Sequence, residues 1–118
     1  MLPPAKGLSV KELVEFFLEK GILFKKIETI KPKELGSRKQ VAIYLATDRY
    51  NFYNGIIRID KKSTVGTKEV AILQQLLDAL QTYKGVVIKK RHLIVKSPLC
   101  SKAEKELEKL GWIVYDIS

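Results

Sequence analysis

The stretch Gly55-Ile56-Ile57-Arg58-Ile59-Asp60-Lys61-Lys62-Ser63-Thr64-Val65-Gly66-Thr67-Lys68-Glu69-Val70-Ala71-Ile72-Leu73-Gln74-Gln75-Leu76 decides the fold. Its first five residues are dense in β-branched side chains, which favour a strand. Alternation sends Ile57 and Ile59 to one face and Arg58, Asp60 and Lys62 to the other. Ser63 to Gly66 reads as a short link. From Thr67 the apolar period changes to a helical one: Val70, Leu73, Leu77 and Leu80, widened by Ile72, Leu76 and Ala79. So broad a stripe expects burial on more than one side.

Working outward, Ser9-Val10-Lys11-Glu12 is a capping box, and Val10, Leu13, Val14, Phe17 and Leu18 share one helical face, so a helix is expected over 10–20. Gly21 ends it. A strand is expected over 22–30, a basic loop over 31–40, and a strand over 41–46 with Ala42, Tyr44 and Ala46 on its second face. Arg49 to Asn54, RYNFYN, reads as a wide hairpin loop. Beyond Gly85, two apolar triplets flank Lys89-Lys90-Arg91-His92; one strand is expected at 92–96, preceded by a short strand or extended link. Ser101-Lys102-Ala103-Glu104 reads as a second capping box opening a helix to Gly111, and 112–117 as a last strand. The order is α-β-β-β-α-β-α-β. Hairpins come first and strand-helix-strand crossovers second, so a mixed sheet flanked by helices is expected in one domain, 1–118.

Lys and Arg number 22 against 13 Asp and Glu among 118 residues, a net charge of +9. A field that positive on a small domain points to nucleic acid, DNA or RNA. Apolar runs are far too short to span a membrane. MLPPAKGLS lacks the order of a signal peptide, and one cysteine, Cys100, allows neither an internal disulfide nor a cysteine zinc site, so a reducing cytoplasm is the expected location. There is no phosphate-cradling glycine loop.

Asp60 is a candidate Mg²⁺ or Mn²⁺ ligand, and Lys62 two residues on could orient water or offset charge on a cleaved phosphate. Asp-x-Lys alone is weak, since the pair arises by chance in lysine-rich chains. The candidate phosphate contacts are Lys31, Lys33, Arg38 and Lys39 in the first basic loop, Arg49 and Tyr50 in the hairpin, Arg58, and Lys89, Lys90 and Arg91. His92 reads as part of the same basic turn. Tyr50, Phe52 and Tyr53 either stack on unpaired or flipped bases or fill a homodimer interface. Cys100 reads as an inert thiol, and Gln74 and Gln75 as helix surface.

Three segments together resemble the PD-(D/E)XK nuclease superfamily, its Mrr-like restriction-endonuclease branch first and the NucS-type archaeal nucleases close behind. VKELVEFFLEKG resembles the opening acidic helix. GIIRIDKKSTVGTKEVAILQQL resembles the strand carrying (D/E/Q)-x-K and the helix after it. RHLIVKSPLCSKAEKELEKLGWIVYDI resembles the closing strand-helix-strand. The resemblance implies a restriction-endonuclease-like fold and a metal-dependent DNA phosphodiesterase, with Asp60 on the metal, Lys62 as catalytic lysine and Glu12 as the first-helix acid. The superfamily's second acid would fall near Ala42, Tyr44 or Ala46, none of which is a ligand. With the hairpin loop at 49–54, Asp48 pairs beside Gly55 and lies about 15 Å from Asp60, five residues at about 3.3 Å each. Three readings follow: a binding-only or assembly relative, an acid supplied by Glu12 or Glu34, or a shifted register that brings Asp48 closer.

Overall fold

The computed structural model describes residues 9–36 and 41–117. Its elements are α1 (Val10–Glu19), β1 (Phe24–Ile30), β2 (Ala42–Asp48), β3 (Tyr53–Ile59), α2 (Thr67–Lys84), β4 (Ile88–Val95), α3 (Ser101–Lys109) and β5 (Trp112–Asp116), with a 3-10 turn at Pro32–Leu35. The strands form one sheet in sequence order, β1-β2-β3-β4-β5. The first three are antiparallel and the last three parallel. This is the restriction-endonuclease-like mixed sheet expected from the sequence.

The predicted capping box opens α1: Glu12 N–H donates to Ser9 Oγ at 3.2 Å and Ser9 N–H to Glu12 Oε1 at 3.1 Å. The helix buries Leu13 and Phe17 against the face of the sheet carrying Ala42, Tyr44, Ala46, Ile56 and Ile94. The opposite face carries Ile43, Leu45, Ile57, Ile59, Leu93 and Val95, under Leu73, Leu77 and Leu80 of α2 and Ala103 and Leu107 of α3. The broad apolar stripe of α2 is thus explained, because α2 packs on the sheet and on α3. At Gly55 the helix comes so near that a Cβ would stand 2.9 Å from Leu77 Cδ2.

Several boundaries differ from expectation, among them β1, which starts at Phe24 and not at 22, and β2, which runs on to Asp48. Tyr53 and Asn54 belong to β3, not to a loop; Ala42 pairs with Arg58 and Thr47 with Tyr53. The β3 ladder ends at Ile59, so Asp60, Lys61 and Lys62 lie past the strand whose alternation was to align them. Lys89 to His92 form no turn but lie within the unbroken strand Ile88–Val95. The cap of α3 is Cys100, with Ser101 the first helical residue.

The parallel half places two useful landmarks. Trp112 pairs with Arg91 near the start of β4, while Cys100 follows the bridge of Leu99 to Val65 beyond the far end of β4. The Trp112 indole donates to Gln74 Oε1 at 3.0 Å, so Gln74 joins α2 to β5 instead of serving as plain helix surface. Cys100 is half-buried, and the backbone N–H groups of Ala103 and Lys102 hold its thiol below the ordinary range. No helix among the described residues is long and apolar enough to cross a membrane.

Candidate nucleic-acid interface

The candidate residues fall at the two ends of the sheet, set by strand direction. At one end lie the finish of β3, the start of β2 and the exit of β1. Here Arg58 is buried, 8% exposed, and its Nη2 stands 3.9 Å from Asp60 Oδ2. The Glu12 carboxyl is held below the carboxylate range by the Ser9 backbone N–H, then the Ser9 hydroxyl, with Arg58 adding to the same effect. The arginine therefore acts electrostatically on both acids.

Lys61 turns toward α2. Its N–H donates to Ser97 Oγ at 2.7 Å and its ammonium pairs with Glu69 at 3.3 Å. Lys62 is exposed on the bend that follows. Glu34 is engaged elsewhere: it accepts from the Lys31 N–H at 2.8 Å and from the Tyr83 hydroxyl at 3.1 Å.

This donor set does not fit a resident Mg²⁺ or Mn²⁺. All 13 carboxylates, the one histidine and the one cysteine lie among the described residues, and no three of them gather as a metal site would require. The β2 residues on the Asp60 side, Ala42 and Tyr44, are apolar-packed and buried. The observed register also moves Asp48 away: it bonds back to Phe52, eight residues before Asp60 and roughly 25 Å from it by strand rise. Of the readings open in the sequence, the shifted register goes the wrong way.

The other end is the β2–β3 hairpin tip and the start of β4. Asp48, 7% exposed, builds the tip. Its Oδ1 accepts from Tyr50 N–H at 2.8 Å and Phe52 N–H at 3.0 Å. Burial pushes its carboxyl up, but those two N–H groups, the Asn54 amide and nearby Lys90 outweigh that and leave it below the usual range. Asn51 takes the left-handed conformation the turn needs, φ 68°, and its Oδ1 accepts from the Lys25 ammonium.

Behind the tip runs a buried polar chain. Asn54 Nδ2 donates to Asp48 Oδ2 at 3.3 Å, Asn54 Oδ1 meets His92 Nε2 at 2.9 Å, and His92 Nδ1 meets Tyr115 Oη at 3.0 Å. With the Asn54 oxygen able only to accept, Nε2 carries the proton and the Tyr115 hydroxyl donates to Nδ1. Burial, then the Lys90 charge, lowers the His92 pKa to about 4, so the ring is neutral. His92 is therefore a structural core residue, not part of a basic turn.

The tip displays what this chain supports. Tyr50 is 64% and Phe52 46% exposed. Arg49 lies over the Tyr50 ring at 4.9 Å and donates to its hydroxyl at 2.8 Å, and Lys89 Nζ lies 5.2 Å from the Phe52 ring.

The predicted phosphate contacts thus divide. Lys31 and Lys33 follow the exit of β1, on the turn whose Glu34 accepts from Tyr83 near the end of α2. Arg49, Tyr50, Lys89 and Lys90 are exposed at the hairpin end, with Arg91 half-buried beside them, its Nη1 3.5 Å from the Leu110 carbonyl. Arg58 is mostly enclosed, and Arg38 and Lys39 lie outside the described residues. Lys25 was absent from the sequence list because the β1–β2 register that carries it to the tip is long-range.

No family model and no curated protein matches the chain. Among solved structures, it is similar to EndoMS in its apo form, with TM-score 0.57 and 18% identity over 97% of this chain and 48% of that one. It is also similar to a repair endonuclease from Pyrococcus abyssi, with TM-score 0.53 and 19% identity over 95% of this chain and 48% of that one. The chain spans about half the length of each. These likenesses establish the nuclease-like fold.

Proposed function

We propose that this chain is a nucleic-acid-binding domain, with DNA as its partner, built on the fold of repair endonucleases and without a metal-dependent cleavage centre of its own. One observation carries the reading: the carboxylate expected to hold the ion faces a buried arginine, not a second acid. A cation placed there disfavours a divalent ion and leaves Lys62 without a metal-bound phosphate to act on. The net charge of +9 supplies the attraction for a polyanion. The likeness to two DNA-processing structures supports DNA as the partner.

The test is binding and cleavage with duplex and branched DNA in parallel. Affinity measured by fluorescence anisotropy should fall linearly on a double-logarithmic salt plot, as counterion release requires. Added Mg²⁺ or Mn²⁺ should produce no cleavage. Cleavage that Asp60→Ala abolishes would establish a metal-dependent endonuclease and overturn the second half of the reading. Salt-insensitive or undetectable binding would overturn the first half.

A further inference from the structure

We propose that the hairpin tip is a second nucleic-acid contact, remote from the Asp60 end, that takes unpaired nucleotides by stacking bases on Tyr50 and Phe52. The inference rests on the nucleic-acid reading above and adds to it a place and a strand state. Exposed rings on a loop normally cost solubility; here each sits beside a cation, Arg49 or Lys89. Rings give every base a face to stack on, and the cations meet the flanking phosphates.

Three features favour this occupant. The backbone that carries the rings is held in place, because Asp48 accepts from the N–H groups of both Tyr50 and Phe52 and is itself anchored to His92 through Asn54. A fixed platform loses little freedom on binding. The charge is wrong for a second copy of this chain, since Arg49, Lys89, Lys90 and Lys25 would face their own kind. Along a duplex the stacked bases present edges and phosphates, and only the two terminal pairs offer an open face, so a duplex has far fewer places for the rings than an unpaired strand.

The test compares fluorescent oligothymidylate, oligouridylate and a blunt DNA duplex on wild type and on Tyr50→Ala/Phe52→Ala. Both side chains are exposed, so the double variant should fold, and an unchanged thermal melt verifies it. Affinity for the single strands should drop about tenfold or more, with the duplex held within about twofold. The aromatic swap Tyr50→Phe/Phe52→Tyr should retain wild-type affinity. Tighter binding of either single strand than of the duplex supports the proposal. Unchanged single-strand affinity, or equal losses on single strand and duplex, overturns it while leaving the nucleic-acid reading intact. A concentration-dependent dimer that the double variant breaks, with single-strand affinity unmoved, also overturns it. A wild type that binds none of the three probes overturns both.

Discussion

Asn54 Oδ1 and His92 Nε2 lie 2.9 Å apart in the interior of the sheet, joining adjacent parallel strands through their side chains. The bond is the middle link of a chain whose ends are a charged loop-building aspartate and a tyrosine hydroxyl. Removing either partner strands the other. His92→Leu leaves the Asn54 carbonyl and the Tyr115 hydroxyl without partners, so stability should fall by about 1–3 kcal/mol in urea denaturation. Asn54→Ala should cost a similar amount and also loosen the tip, which hydrogen exchange at Tyr50 and Phe52 would show. An Asn54→Ala protein as stable as wild type would refute the linkage.

The same histidine sets a pH dependence. Its pKa is about 4 in the fold, against 6.5 for the ordinary group. Between those values the unfolded chain binds a proton that the folded chain refuses. This contribution is therefore complete above pH 6.5 and is lost as pH falls toward 4, by about 3 kcal/mol in all. His92→Gln has no such proton to gain and should flatten the slope across that window. Equal slopes for both proteins would refute the assignment.

Gly55 lies directly under Leu77 of α2. In Gly55→Ala the new methyl would meet Leu77 Cδ2 at 2.9 Å and Ile88 Cδ1 at 3.2 Å. Both partners are buried and hemmed in by the core. Overpacking of this kind should cost about 1–2 kcal/mol. The readout is the urea midpoint, and the double variant with Leu77→Ala should lose less than the sum of the two single losses, because the clash is gone.

Gln74→Leu removes the acceptor of the Trp112 indole, which is 3% exposed. A buried donor left unsatisfied should cost about 1–2 kcal/mol. The emission of Trp112, the sole tryptophan, should shift with it, which makes the change visible without a label.

Much of the fold was legible because local chemistry agreed with tertiary placement. Ser9 and Glu12 cap α1 as their spacing demands, and the switch from strand to helical period between Ile59 and Val70 marks the β3–α2 unit. The misread elements have physical causes. Asn54 is a poor strand former by propensity, yet Asp48 and His92 hold it in the ladder. Lys89 and Lys90 look like a turn because both side chains are solvated, although they lie in a strand that pairs with β3. Cys100 displaced Ser101 as cap by a single residue, a choice between short polar groups that spacing alone does not make.

At the candidate site, the sequence located Asp60 and noted the missing second acid. It did not show that Arg58 would turn toward Asp60, because alternation states which face a side chain takes and not what it meets there. Nor did it separate the cations into two groups, which depends on strand direction.

Strand direction also gives the molecule a built-in pair of optical handles. The only tryptophan lies early in β5 and the only cysteine just past β4, on opposite sides of the sheet's midline. A thiol-reactive dye on Cys100 would stand on the order of 15–20 Å from the indole, counted along the strands. Energy transfer from the indole to the dye would then report the spacing of these two points in one cuvette, without a second label.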